Sequence, residues 1–178
     1  CIRDRYYIYP SVPMEQSVFV KNPITDISSV MQLLETTIQA SELLGEDRGE
    51  RAKWKDMLVR MSPLPEADGV FVMAEGFRPH QRTAHALLMN PVFPAERVGL
   101  DRRGPWFDTA VRTLEDQWRA HPDEPRVNFV QHFSHSRAWY IVAAARMGLG
   151  ERAAELARLF TQQFVKENGL TTTHDSSH

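Results

Sequence analysis

Ala144-Ala145-Arg146-Met147-Gly148-Leu149-Gly150 joins two stretches of helical periodicity through a very short turn. The stretch before it, residues 134–147, reads as a helix that Gly148 stops. The stretch after it, residues 151–166, sets Leu156, Leu159, Phe160 and Phe164 on one face, and Asn168-Gly169 reads as its C-terminal cap. Two helices with so short a connection run antiparallel. Gly148-Leu149-Gly150 is a hairpin turn rather than a nucleotide fingerprint, because no strand precedes it.

A similar unit lies upstream. Ile27, Val30, Met31, Leu34 and Ile38 follow helical spacing over residues 26–44, with Thr25 or Asp26 as N-cap and Leu44-Gly45 as the stop. Residues 48–61 form the partner helix, with Trp54, Met57, Leu58 and Met61 on one stripe and Ser62-Pro63 ending it. A further helix over 106–120, opened by Gly104-Pro105, carries Phe107, Val111, Leu114 and Trp118. Asp68-Gly69 signals a turn before a short strand at 70–72, and a short helix fits 81–89. The fold class is therefore all-α, a stack or ring of helical hairpins: an α-solenoid or an α/α toroid. No fixed repeat period is present, which counts against a regular solenoid.

The chain has 178 residues and a net charge of −2, so one domain with a real core is expected. That charge balance gives no nucleic-acid or membrane partner, and no apolar run approaches the ~18 residues of a membrane helix. Cys1 is the single cysteine, which excludes internal disulfides and cysteine-rich zinc sites. The chain does not begin with Met, and its last residues, Thr173-His174-Asp175-Ser176-Ser177-His178, read as an active-site loop cut short. A piece of a longer protein is the expectation, with cytoplasmic and secreted or periplasmic locations both open.

Pro10-Ser11-Val12-Pro13-Met14-Glu15-Gln16 places a carboxylate on a proline-stiffened loop ahead of a long helix. That is a suitable place for a catalytic acid, although most loop glutamates are solvated surface groups. His80, Arg82 and His85 form a compact polar set, either ligand-binding donors or a loop network that satisfies its own backbone. The spacing of His80 and His85 is not that of a helix-borne metal pair, and the sequence calls for no metal or cofactor. His132, His135, Arg137 and Trp139 precede or open a helix, where they either line a pocket or, for Trp139 in the helical pattern, belong to the core. Glu75, in Ala74-Glu75-Gly76-Phe77, is a second loop carboxylate, either at a pocket edge or simply solvated.

The order of these motifs resembles the catalytic domain of glycoside hydrolase family 95, the inverting α-L-fucosidase and α-L-galactosidase group. The resemblance runs through Pro10-Ser11-Val12-Pro13-Met14-Glu15-Gln16, Pro23-Ile24-Thr25-Asp26-Ile27 and Ala40-Ser41-Glu42-Leu43-Leu44-Gly45. It continues through Ser62-Pro63-Leu64-Pro65, Asp68-Gly69, His80-Gln81-Arg82-Thr83-Ala84-His85, Ser136-Arg137-Ala138-Trp139 and Ala145 to Ala153. It covers nearly the whole chain in serial order. Departures are Gln81-Arg82 in place of an Arg-His pair, Pro13-Met14 in place of Ser-Pro, and His135 in place of a tryptophan.

The resemblance implies part of an (α/α)6 toroid, with residues 1–178 as a single partial domain on its C-terminal side. It implies a carbohydrate substrate, Glu15 as general acid, and substrate contacts from His80, Arg82, His85, His135, Trp139 and His174. The family's base falls after residue 178, with Asp175 as a fallback, so the isolated piece is expected to be inactive and to need the remainder of the parent domain. Two alternatives remain open. One is another toroidal carbohydrate enzyme, a polysaccharide lyase, rhamnosidase or phosphorylase. The other is a non-catalytic helical binding module.

Overall fold

A computed structural model describes residues 4–13, 18–79, 85–101, 103–118 and 134–171; the side chains of His85, Ala86, Trp118, His135 and Gln163 lie outside the description. Within those residues the fold is all-α apart from one small hairpin of strands. The helices are α1 (Ile24–Leu44), α2 (Arg51–Arg60), α3 (Phe107–Trp118), α4 (Ser134–Arg146) and α5 (Gly150–Phe164). A short 3-10 turn covers His85–Met89.

α1 forms because its apolar residues recur on one stripe. Ile24, Ile27, Met31, Leu34 and Ile38 are buried, each worth about 1.5–3 kcal/mol of apolar transfer. Its start differs from the sequence expectation. Pro23 occupies the N-cap position, and Thr25 and Asp26 lie inside the helix. Proline offers no side-chain cap, and the first helical amide is satisfied from elsewhere in the fold: Ile24 N–H donates to the Met73 carbonyl at 2.9 Å.

Gly45 ends α1 at φ 75°, the left-handed conformation that favours glycine. Arg51 then reaches back from α2 to the Ser41 carbonyl at 3.0 Å and the Glu46 carbonyl at 3.2 Å. This guanidinium satisfies acceptors at the α1 terminus and fixes the first helical hairpin. α2 begins at Arg51 rather than 48 because residues 48–50 form a turn after Asp47, which has φ 50°.

β1 (Glu66–Ala67) pairs antiparallel with β2 (Val70–Phe71) across Asp68-Gly69. Both turn residues have positive φ, as a tight type I′ connection requires. α3 packs on β2, and the Phe71 amide donates to Thr113 Oγ1 at 2.8 Å.

α4 and α5 make the most extensive helix pairing among the described residues. Tyr140, Ala143, Ala144, Met147, Leu156 and Phe164 are buried there. α5 ends at Phe164, and Asn168-Gly169 does not cap it. The chain instead turns back, with Val165 bridging Thr171 antiparallel and the Lys166 amide donating to the Leu170 carbonyl at 2.8 Å. Val165 is extended, so Asn168-Gly169 forms the tip of a small hairpin rather than a helix terminus.

One core joins these parts. It includes Ile24, Ile27 and Met31 of α1, Phe71 of β2, Leu88 and Met89 of the 3-10 turn, Leu114 of α3 and Tyr140 of α4. No helix among the described residues is long and apolar enough to cross a membrane.

Candidate active site

Glu15 lies in residues 14–17, outside the described residues, but the neck of its loop is described. Ser11 and Val20 exchange both backbone hydrogen bonds, at 3.1 and 2.8 Å. Ser11 Oγ donates to Asp26 at 2.5 Å, tying the neck to the first turn of α1. Pro13 is buried just inside the loop. The loop is therefore closed at its base by backbone pairing and held against a helix.

The next two residues of the chain build a charged centre. Lys21 Nζ donates to Glu75 Oε1 at 2.8 Å, and the Asn22 side-chain amide donates to Glu75 Oε2 at 2.5 Å. Asn22 is 2% exposed and has φ 50°, a conformation Asn tolerates better than most residues. Its side-chain carbonyl accepts the Ile8 amide at 2.8 Å, and its own amide donates to the Ile8 carbonyl. The Glu75 amide donates to the Lys21 carbonyl, so backbone and side chains hold the same pair.

The hydrogen bond from Lys21 keeps the Glu75 carboxyl below the ordinary carboxylate range; burial opposes it, and the Asn22 amide acts in the same direction as Lys21. Glu75 is thus a carboxylate at neutral pH: a hydroxyl acceptor rather than a proton donor. A cleft of about 740 Å³ opens beside it, lined in part by Tyr7, Lys21, Asn22 and Gly76.

The histidine region is partly described. His80 and Arg82 lie outside the described residues. His85 opens the 3-10 turn, which packs against α1, α3 and α4. Asn90 pins the end of that turn: its side-chain amide donates to Ser28 Oγ at 2.6 Å and to the Thr25 carbonyl at 3.2 Å.

His135 and Trp139 sit one helical turn apart on α4, which packs directly on the His85 turn. The Trp139 indole N–H donates to the Phe93 carbonyl, and the two rings meet edge to face at 6.2 Å. Trp139 is half-buried, with its polar end occupied by the protein itself. His174 and Asp175 lie outside the described residues. The backbone thus brings the His85 and Trp139 elements together, and separately joins the Glu15 loop neck to Glu75. Among the described residues no three His, Cys, Asp or Glu side chains converge as a metal site.

The sequence reading named Glu75 but missed its partners. Lys21 and Asn22 are more than fifty residues away in the chain, and no local periodicity links them.

The model of the glycosyl hydrolase family 95 catalytic domain matches residues 5–178. The chain belongs to this family. The family 95 assignment makes the domain part of a glycoside hydrolase, with a carbohydrate as its substrate class. The all-α family 95 domain described above is consistent with a piece of a helical toroid. Comparison with curated proteins finds no match.

Proposed function

We propose that this domain contributes to inverting hydrolysis of α-linked L-fucose-like or L-galactose-like sugars in oligo- or polysaccharides. The family match over residues 5–178 carries the reading. Glu15 is the general acid: its protonated carboxyl gives a proton to the glycosidic oxygen as the bond to the leaving sugar breaks. A carboxylate beyond residue 178 takes a proton from water, which attacks the anomeric carbon from the opposite face. His80, Arg82, His85, His135, Trp139 and His174 surround the sugar. The closed neck at Ser11 and Val20 supports the acid role, since a catalytic carboxyl needs a fixed base.

On this reading residues 1–178 are the C-terminal-side portion of an (α/α)6 catalytic domain, inactive without its remainder. Exposed Leu33 and Leu43 on α1 and Val59 on α2 fit a neighbouring hairpin in a larger ring.

The test uses the full-length protein. Glu15→Gln should cut turnover of glycosides with poor leaving groups by 10²-fold or more, and affect activated aryl glycosides far less. Equal loss on both removes the acid role. Anomer-resolved NMR of early product should show inversion. Retention, or an unsaturated lyase product, overturns the mechanism.

A further inference from the structure

The face beside the Lys21–Glu75 pair carries three exposed aromatic rings. Tyr7 is 55% exposed, Tyr9 63% and Phe19 73%. Two hollows flank the pair. The larger, about 740 Å³, includes Tyr7; the smaller, about 350 Å³, includes Tyr9, Phe19 and Phe77. Both are lined by Lys21 and Glu75, so they adjoin at the ion pair. Lys21 Nζ also stands 5.2 Å from the centre of the Tyr7 ring.

We propose that this aromatic and charged face binds the leaving-group portion of the glycan, the sugars released by cleavage. The proposal rests on the glycosidase reading above and extends it to a specific surface.

A pyranose presents an apolar C–H face and a rim of hydroxyls. The first stacks on an aromatic ring, as other amphipathic groups do. The second needs donors and acceptors at fixed positions. Glu75 is held as a carboxylate acceptor by Lys21 and the buried Asn22 amide. Lys21 has further N–H donors beyond the one given to Glu75. The centre is set in place before any ligand arrives, because Asn22 is fixed by two hydrogen bonds to Ile8.

Position along the chain assigns the face to the leaving side. In an inverting glycosidase the acid stands at the leaving oxygen and the base at the opposite face of the ring. Tyr9 and Phe19 flank the Ser11–Val20 neck of the Glu15 loop, and Lys21 follows it immediately. Sugars beyond the leaving oxygen therefore continue toward this neck. A mixed polar and aromatic surface suits them better than it suits a packed protein neighbour, whose contact centre is depleted of charge.

The experiment compares substrates with and without a leaving sugar on the full-length protein. The probes are α-L-fucosyl and α-L-galactosyl fluorides and trisaccharides ending in the same sugars. Fluoride leaves without occupying the face. In Tyr7→Ala and Phe19→Ala, the ratio of kcat/KM for the trisaccharide to that for the fluoride should fall tenfold or more. Glu75→Gln should lower the same ratio. Calorimetric titration with the disaccharide released from the trisaccharide gives a second readout, with binding to wild type weakened tenfold in Tyr7→Ala.

An unchanged ratio in both ring variants overturns the proposal. Lower thermal stability with an unchanged ratio also overturns it, and identifies the rings as contacts to another part of the polypeptide. Wild-type protein that cleaves the fluorides but does not bind the disaccharide sinks this proposal and leaves the glycosidase reading intact. Wild-type protein that turns over neither fluoride nor trisaccharide counts against the glycosidase reading itself.

Discussion

The Asn90 side-chain amide donates to the Ser28 hydroxyl at 2.6 Å, locking the end of the His85 turn to the first turns of α1. The same amide reaches the Thr25 carbonyl at 3.2 Å, and Ser28 Oγ in turn donates to the Ile24 carbonyl at 2.6 Å. Asn90 and Ser28 are both buried, so these groups have no water to fall back on.

Asn90→Ala should therefore destabilise the full-length protein by about 1–3 kcal/mol, the cost of losing buried amide hydrogen bonds. Ser28→Ala should cost less, because Asn90 keeps its bond to the Thr25 carbonyl. Urea unfolding checks the order through the midpoint at constant slope. Wild-type stability in Asn90→Ala would show that the turn is not held this way.

The two α4–α5 turn glycines should behave oppositely. Gly148 has φ 76°, and an added Cβ would meet Leu100 Cδ1 at 3.0 Å. Leu100 is half exposed and can swing away, so most of the penalty is backbone conformation. Gly148→Ala should cost about 1–2 kcal/mol. Gly150 has open space around its Cβ position and begins α5. Gly150→Ala should be neutral or stabilising by up to about 1 kcal/mol. Thermal melts of both variants decide it, and equal effects would contradict the turn geometry.

The contrast between these glycines shows what the sequence could reveal. Gly148 was legible as a helix stop because helical periodicity breaks there and glycine takes the left-handed exit with the least strain. The Asp68-Gly69 turn and the short strand after it were legible for the same local reason, whereas the partner strand Glu66–Ala67 was not. The α1 start was misplaced because its first amide bonds to the Met73 carbonyl, nearly fifty residues away, and Pro23 takes the N-cap position. Asn168-Gly169 carries the same cap signal as Gly45, yet Val165 had already left the helix. The candidate site followed the same rule. Serial motif order led to the family, now shown by the match over 5–178. The Lys21–Asn22–Glu75 centre is a tertiary product of three loop residues and left no periodic trace.

Specificity gives the last prediction. On the motif resemblance, Gln81-Arg82 stands in place of an Arg-His pair, which moves the charged donor by one residue. Adjacent side chains leave the backbone in different directions, so one guanidinium cannot serve the same hydroxyl from both positions. A site built around one hydroxyl pattern rejects another strongly, since unpaired buried donors are costly. On the proposed glycosidase reading, the full-length protein should prefer an α-linked sugar other than unmodified terminal L-fucose, with L-galactose the first candidate. Arg82→Ala should lower kcat/KM on the preferred sugar by 10- to 100-fold, the loss of about 1.4–2.7 kcal/mol of transition-state stabilisation. A panel of aryl glycosides measures both effects. Fastest turnover on the L-fucoside, with no response to Arg82→Ala, would show that the shifted arginine does not set the choice of sugar.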